Sequence, residues 1–132
     1  LTWLLYAPNL IDLEVKSSSQ IEDIISKEKA VNIFTEEVAG IIIPFQRVEH
    51  FQVDNLPKLK SIYWKPLPFP CLRIFYIERC PNLRKLPLDS RSGGSNVGKD
   101  LVIDGEKNWI DKVEWEDEAT KKRFLPSLQP CE

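Results

Sequence analysis

The sequence predicts an α/β solenoid: short parallel strands stacked on a concave face and joined by irregular or short helical returns. Three observations predict it. Apolar side chains recur at one set of offsets in three separate stretches. Prolines fall in the connections, where a missing N–H breaks no ladder bond. The 132 residues are 42% hydrophobic and 29% charged, the composition of one globular domain with a real core.

The repeat is read from spacing. Leu72, Phe75, Ile77, Cys80, Leu83 and Leu86 lie at offsets 0, 3, 5, 8, 11 and 14. Val48, Phe51, Val53, Leu56, Leu59 and Ile62 lie at the same offsets, 24 residues earlier. Leu10, Leu13, Val15, Ile21 and Ile24 match a third register in which Ser18 replaces the apolar residue at offset 8. The pattern L-x-x-L-x-L, followed by an apolar residue every third position, is the signature of a leucine-rich repeat, whose period is roughly 20–29 residues. Its alternating part sends two side chains inward from one short strand. Its period of three suits an irregular or 3₁₀-like return. A single unit cannot bury its own apolar face, so the units must stack.

Taken in order, strands are expected near 12–15, 50–53, 74–77 and 101–103. Ser19-Gln20-Ile21-Glu22 reads as a capping box that starts a short helical return through Ile24 and Ile25. Residues 27–40 fit as an insertion, either a projecting loop around Thr35, Glu36 and Glu37 or a helix to about Glu37. Trp64 is expected at the corner before the third strand, packed on the rings of Pro66, Pro68 and Pro70. Asp89 to Asn96 reads as a flexible loop. Val113-Glu114-Trp115 alternates like one more strand, and 118–125 reads as a helical turn stopped before Pro126. Trp109, Ile110, Val113, Trp115 and Phe124 are candidates to cover the open end of the core. Residues 1–98 then hold about three repeats, and residues 99–132 a degenerate terminal repeat and cap. The absence of Met predicts that the chain is cut from a longer one, with an N-terminal edge that frays.

The chemistry permits little besides binding. A net charge of −2 argues against a strongly basic nucleic-acid binder. The charge is uneven, with 9 basic and 4 acidic residues in 41–98, against 3 and 7 in 1–40 and 6 and 9 in 99–132. A basic central face meeting an acidic partner is one expectation from this. A salt-sensitive nucleic-acid surface on Lys58, Lys60, Arg84 and Lys85 is a weaker one. His50 is the only imidazole, and no nucleophile–base pair has a second supporting group, so the chain is expected not to be an enzyme. The run Glu116-Asp117-Glu118 is a poor metal cage. Cys71, Cys80 and Cys131 are odd in number and lack C-x-x-C spacing, which points to a reducing compartment. No Asn lies in an N-x-[ST] sequon, and no apolar run approaches the roughly 18–20 residues that cross a bilayer.

In each L-x-x-L-x-L unit the x positions point out from the sheet. These are Ile11, Asp12, Glu14 and Lys16, then Glu49, His50, Gln52 and Asp54, then Arg73, Ile74, Tyr76 and Glu78. The candidate partner-binding set on this concave face is Asp12, Glu14, Glu49, His50, Gln52, Arg73, Ile74, Tyr76 and Glu78. Arg73, Tyr76 and His50 are the strongest candidates. They come from consecutive units, and Arg and Tyr are residue types that often dominate binding energy.

Three stretches resemble a known family. Pro8 through Val15 with Ile21 through Ile25 is similar to one of its repeats. Phe69-Pro70-Cys71-Leu72-Arg73 and Cys80-Pro81-Asn82-Leu83-Arg84-Lys85-Leu86-Pro87-Leu88 resemble its last regular repeat. Trp109 through Asp117 resembles its C-terminal ending. The family is the coiled-coil, nucleotide-binding, leucine-rich-repeat (NB-LRR) disease resistance proteins of cress-like plants. The resemblance implies an intracellular immune receptor whose repeats restrain a nucleotide switch. It also implies that they recognise a pathogen effector, or a host protein that the effector has altered. It places ADP or ATP in a nucleotide-binding part of the parent protein, and no cofactor in this segment. The chain has no G-x-x-x-x-G-K-[ST], since Gly93-Gly94 runs into Ser95-Asn96. The implied location is cytoplasmic, with the inner face of the plasma membrane reached through an N-terminal part. A substrate-recognition segment of a ubiquitin-ligase adaptor is the alternative that shares the fold.

Overall fold

The computed structural model describes residues 9–33, 43–94 and 100–131. Pro8, the insertion beyond Ile33, Ser95, Asn96 and the N-terminal edge lie outside them. Five strands, β1 (Asp12–Lys16), β2 (His50–Asp54), β3 (Ile74–Glu78), β4 (Val102–Glu106) and β5 (Leu128–Cys131), form one parallel sheet in sequence order. The register carries two rows of side chains through the stack. One runs Leu13, Phe51, Phe75, Ile103, Leu128, and the other Val15, Val53, Ile77, Gly105, Pro130. Both rows face the core, where Phe51, Val53, Phe75, Ile77 and Ile103 are at most 1% exposed. Leu10, Leu13 and Ile21, on the edge unit, are only half covered. The fold is therefore an α/β leucine-rich-repeat solenoid.

Two features recur that the apolar spacing does not announce. Ser17, Asn55 and Arg79, each following a strand, are left-handed at φ 58, 56 and 51°. Phe45 and Phe69, three residues before offset 0, are left-handed at 64 and 41°. Such backbone costs a non-glycine residue about 1–2 kcal/mol, so packing and hydrogen bonds must hold it. Ser17 N–H donates to Asp54 O and Asn55 N–H to Glu78 O, both at 3.0 Å. The Arg79 N–H donates instead to the Glu106 carboxylate, at 2.6 Å. The left-handed phenylalanines stack on one another at 5.9 Å and enclose Phe51 and Phe75, stacked at 4.8 Å. Burying each of these four rings contributes about 1.5–3 kcal/mol, which outweighs the strain.

Several expectations need correction. The return after β1 does not begin at Ser19. Ile24 and Ile25 are buried in non-helical chain that bridges Asp23 to Ser61, and the helix α1 spans Lys27–Ile33. Its amide at Lys29 is capped by Ser26 Oγ, at 3.4 Å. The capping-box spacing was met at Ser19, but neighbouring repeats pair that segment as extended chain. Residues 89–94 are pinned, not loose: Ser92 is fully buried, its hydroxyl donates to Leu67 O, and Gly93 N–H donates to Pro68 O at 2.8 Å. Gly94 is left-handed, and a Cβ there would stand 2.8 Å from Pro70 O. Val113-Glu114-Trp115 makes one isolated bridge, Lys85 to Glu114, and no strand. Trp64 stacks on Tyr63 at 3.9 Å. The helices α2 (Lys107–Lys112) and α3 (Glu118–Phe124) follow β4, and Pro126 continues α3 as a 3₁₀ turn, where its missing N–H is tolerated. Trp109 and Phe124 are buried, while Ile110, Val113 and Trp115 are half-buried against the core.

Candidate partner-binding face

The outward positions of the strands form three registered rows. The first is Asp12, His50, Ile74, Val102. The second is Glu14, Gln52, Tyr76, Asp104, Gln129, and the third begins Lys16, Asp54, Glu78. The predicted residues are therefore brought together, because a parallel register without slip places equal offsets side by side. Glu49 and Arg73 sit just before the first row. Arg73 lies between Glu49 and Asp100, 3.8 and 3.9 Å from their carboxylates.

Each row has its own chemistry. Asp12 Oδ1 is 2.5 Å from His50 Nδ1, with both side chains more than half exposed. Ile74 and Val102 continue that row as half-buried apolar surface. Tyr76 is half-buried, and its hydroxyl donates to Glu78 at 2.5 Å. Arg79, one residue past the third row, grips Asp54 with two hydrogen bonds of 3.0 Å. That pairing raises the Arg79 pKa, and Glu14 likewise raises that of Lys16. The Lys16–Glu14 and His50–Asp12 pairs are exposed and orient side chains more than they stabilise the fold, whereas Asp54 in its two-bond pair with Arg79 is largely covered.

The electrostatics differ from the expected basic face. Among the described residues this surface carries Asp12, Glu14, Glu49, Asp54, Glu78, Asp100, Asp104 and Glu106, against Lys16, Arg73 and the adjoining Arg79. The basic residues of the central segment lie largely elsewhere: Lys60 pairs with Glu22 and Lys85 with Glu116, away from the strands. Spacing could not show this, because charge summed along a segment mixes strand and return.

Three residues of the rows escaped the sequence, Val102 in the first and two in the second. Asp104 continues the Gln52–Tyr76 row, with Oδ1 buried and lacking a hydrogen-bond partner. Gln129 extends it on β5. Asp104 lies 28 residues after Tyr76 instead of 24, so the period fails there. Elsewhere, Cys80 is buried with its thiol pushed up to about 11 by burial, which suits a packing residue. Among the described residues no group of three or more His, Cys, Asp or Glu could hold a metal ion, and no helix is long and apolar enough to cross a membrane.

The fold and face now have relatives to stand beside. No family model matches the chain, and no solved structure does. Curated proteins of Arabidopsis thaliana do. The disease resistance protein RPS5 is 55% identical over 128 residues, which is 96% of this chain and 14% of RPS5. A probable disease resistance protein is 55% identical over 131 residues, 98% of this chain and 18% of that protein. The disease resistance protein SUMM2 is 51% identical over 127 residues, 96% of this chain and 13% of SUMM2. The chain thus spans less than a fifth of the length of each of these relatives. It is, over nearly its whole length, a relative of a segment of the plant disease resistance proteins, folded as a leucine-rich-repeat solenoid.

Proposed function

We propose that this chain is a protein-recognition and autoregulatory segment of a plant intracellular immune receptor. It senses a pathogen effector, or a host protein that an effector has altered, in the cytoplasm. Its other partner is the nucleotide-binding part of the same receptor, where ADP or ATP binds. The observation that carries this reading is the registered outward surface of β1 to β4. There half-buried Ile74 and Tyr76 lie among charged side chains from consecutive strands. A partly exposed aromatic with an apolar neighbour and a charged surround is the usual anatomy of a protein-binding patch. The kinship with plant disease resistance proteins supports the defence setting.

The test substitutes Tyr76→Ala in the complete protein and scores plant cell death with and without the pathogen. Loss of the induced response at normal protein level is the result expected of recognition. Cell death without pathogen is the result expected of restraint. Silence of Tyr76→Ala, Arg73→Ala and His50→Ala alike overturns the assignment to this face.

A further inference from the structure

The molecule has a second surface, on the flank where the chain leaves the strands. Between β2 and β3 the exit turns of neighbouring units close on each other. Leu56 N–H donates to Arg79 O at 3.2 Å, and the Asn82 side-chain amide donates to Pro57 O at 2.8 Å. After β4 the chain enters α2 instead of turning. There the Trp109 indole reaches back, donating to Leu83 O at 2.5 Å. The mismatch between turn and helix leaves a groove of about 430 Å³. That volume falls within the roughly 300–1,000 Å³ of ligand pockets.

The groove has an apolar floor and a basic rim. Buried Cys80, Leu83 and Trp109 line it together with Pro81. Arg84 and Lys112 stand at its rim. The carbonyl of Arg84 accepts from Glu114 N–H at 2.6 Å, which holds the third repeat against the chain just past Lys112 and so brings the two cations to one place. Neither side chain makes an ion pair among the described residues. Of the other charged groups on the lining, Arg79 is paired with Asp54, while Glu106 accepts from the Arg79 amide and keeps its negative charge, one carboxylate against the two cations. The net charge that remains is positive, beside an indole and an apolar floor.

We propose that this groove binds an acidic segment of a partner protein. One bulky apolar side chain of the segment enters over Trp109 and Leu83, and flanking carboxylates meet Arg84 and Lys112. Charge complementarity assigns the occupant. The sheet face is acidic and repels such a segment, while the flank attracts it, so the two surfaces sort their partners by sign. The apolar floor favours a peptide over a nucleic acid, whose affinity rests on many phosphate contacts rather than two cations. The proposal goes beyond the role of the sheet face and does not depend on it.

The experiment uses the complete protein and a labelled, capped hexapeptide, Asp-Glu-Phe-Leu-Asp-Glu, followed by fluorescence anisotropy. The expected result is saturable binding that Arg84→Glu with Lys112→Glu weakens tenfold or more. Lys121→Glu with Lys122→Glu, an equal charge change on exposed positions of α3, is expected to change it less than twofold. Replacing Phe and Leu of the peptide by Ser should also weaken it at least tenfold. Tyr76→Ala should leave it unchanged, which separates this site from the sheet face. No binding, equal loss in both charge-reversed variants, or equal affinity for an oligonucleotide of the same charge overturns the proposal. So does a peptide insensitive to its own Phe and Leu.

Discussion

In the two regular units the chain uses each residue role twice, 24 residues apart. Phe45 and Phe69 open a unit in the left-handed region, Phe51 and Phe75 stack, and Asn55 and Arg79 turn the chain out of the strand. The terminal unit joins the same sheet by other means. Gly105 stands in the row of Val53 and Ile77, because the Trp109 ring fills that volume: a Cβ there would be 3.0 Å from Trp109 Cε3. A helix replaces the turn. An indole replaces the amide of Asn82 as the link to the preceding unit, and a carboxylate replaces the carbonyl that takes the turn amide. Identical units propagate one another's geometry. A unit that differs must satisfy the same orphaned groups with side chains, and the misfit opens the groove beside it.

The largest expected effect breaks the regular region. Leu83→Ala removes a fully buried side chain from the stack and should cost about 2–5 kcal/mol. Its exposed neighbour, Arg84→Ala, should stay within about 0.5 kcal/mol. Urea melts of the two variants give the ratio, and equal costs would mean that the stack is not held by its inward rows. An intermediate effect is expected at the junction. Trp109→Phe keeps most of the apolar volume and deletes the hydrogen bond to Leu83 O, leaving a buried carbonyl unsatisfied. A cost of about 1–3 kcal/mol is expected by thermal denaturation. A smaller value would show that the helix, and not the indole, joins the terminal unit to the repeats.

The smallest effect belongs to the start of α3, and it depends on pH. The Asp117 carboxylate accepts from Thr120 N–H at 2.8 Å and from its hydroxyl at 2.7 Å. These bonds hold its pKa below the ordinary carboxylate value in the folded protein. A depressed folded pKa gives stability that is present above the unfolded pKa and lost as pH falls through the folded one. The Tm gap between the protein and Asp117→Ala should therefore be constant above about pH 5 and close in acid. A gap that persists at pH 2 would show that the cap does not rest on the charge.

Much of the fold was legible because its period is short. Six apolar offsets identified the inward rows, and Leu56, Leu59, Ile62, Leu83 and Leu86 are buried as their spacing requires. The outward rows followed, since alternation along a strand leaves no other place for His50, Gln52 or Tyr76. The signal stopped where units change length. β5 carries Pro130, which a sequence pattern rejects inside a strand, yet a strand on the described edge of the sheet tolerates a missing N–H. Ser19 satisfied the cap spacing and lost to the pairing of Asp23 with Ser61, a partner 38 residues away.

By itself the sequence determined the repeat, its inward rows and the outward residues of the first three strands, because those depend on local alternation and a constant period. Tertiary structure alone decided the sign of that face, the left-handed turns at Ser17, Asn55 and Arg79, and the groove under Trp109. Each of these depends on which unit lies next to which. A charge acquires its neighbours, a strained turn its hydrogen-bond acceptor, and a misfit its cavity only when the units stack.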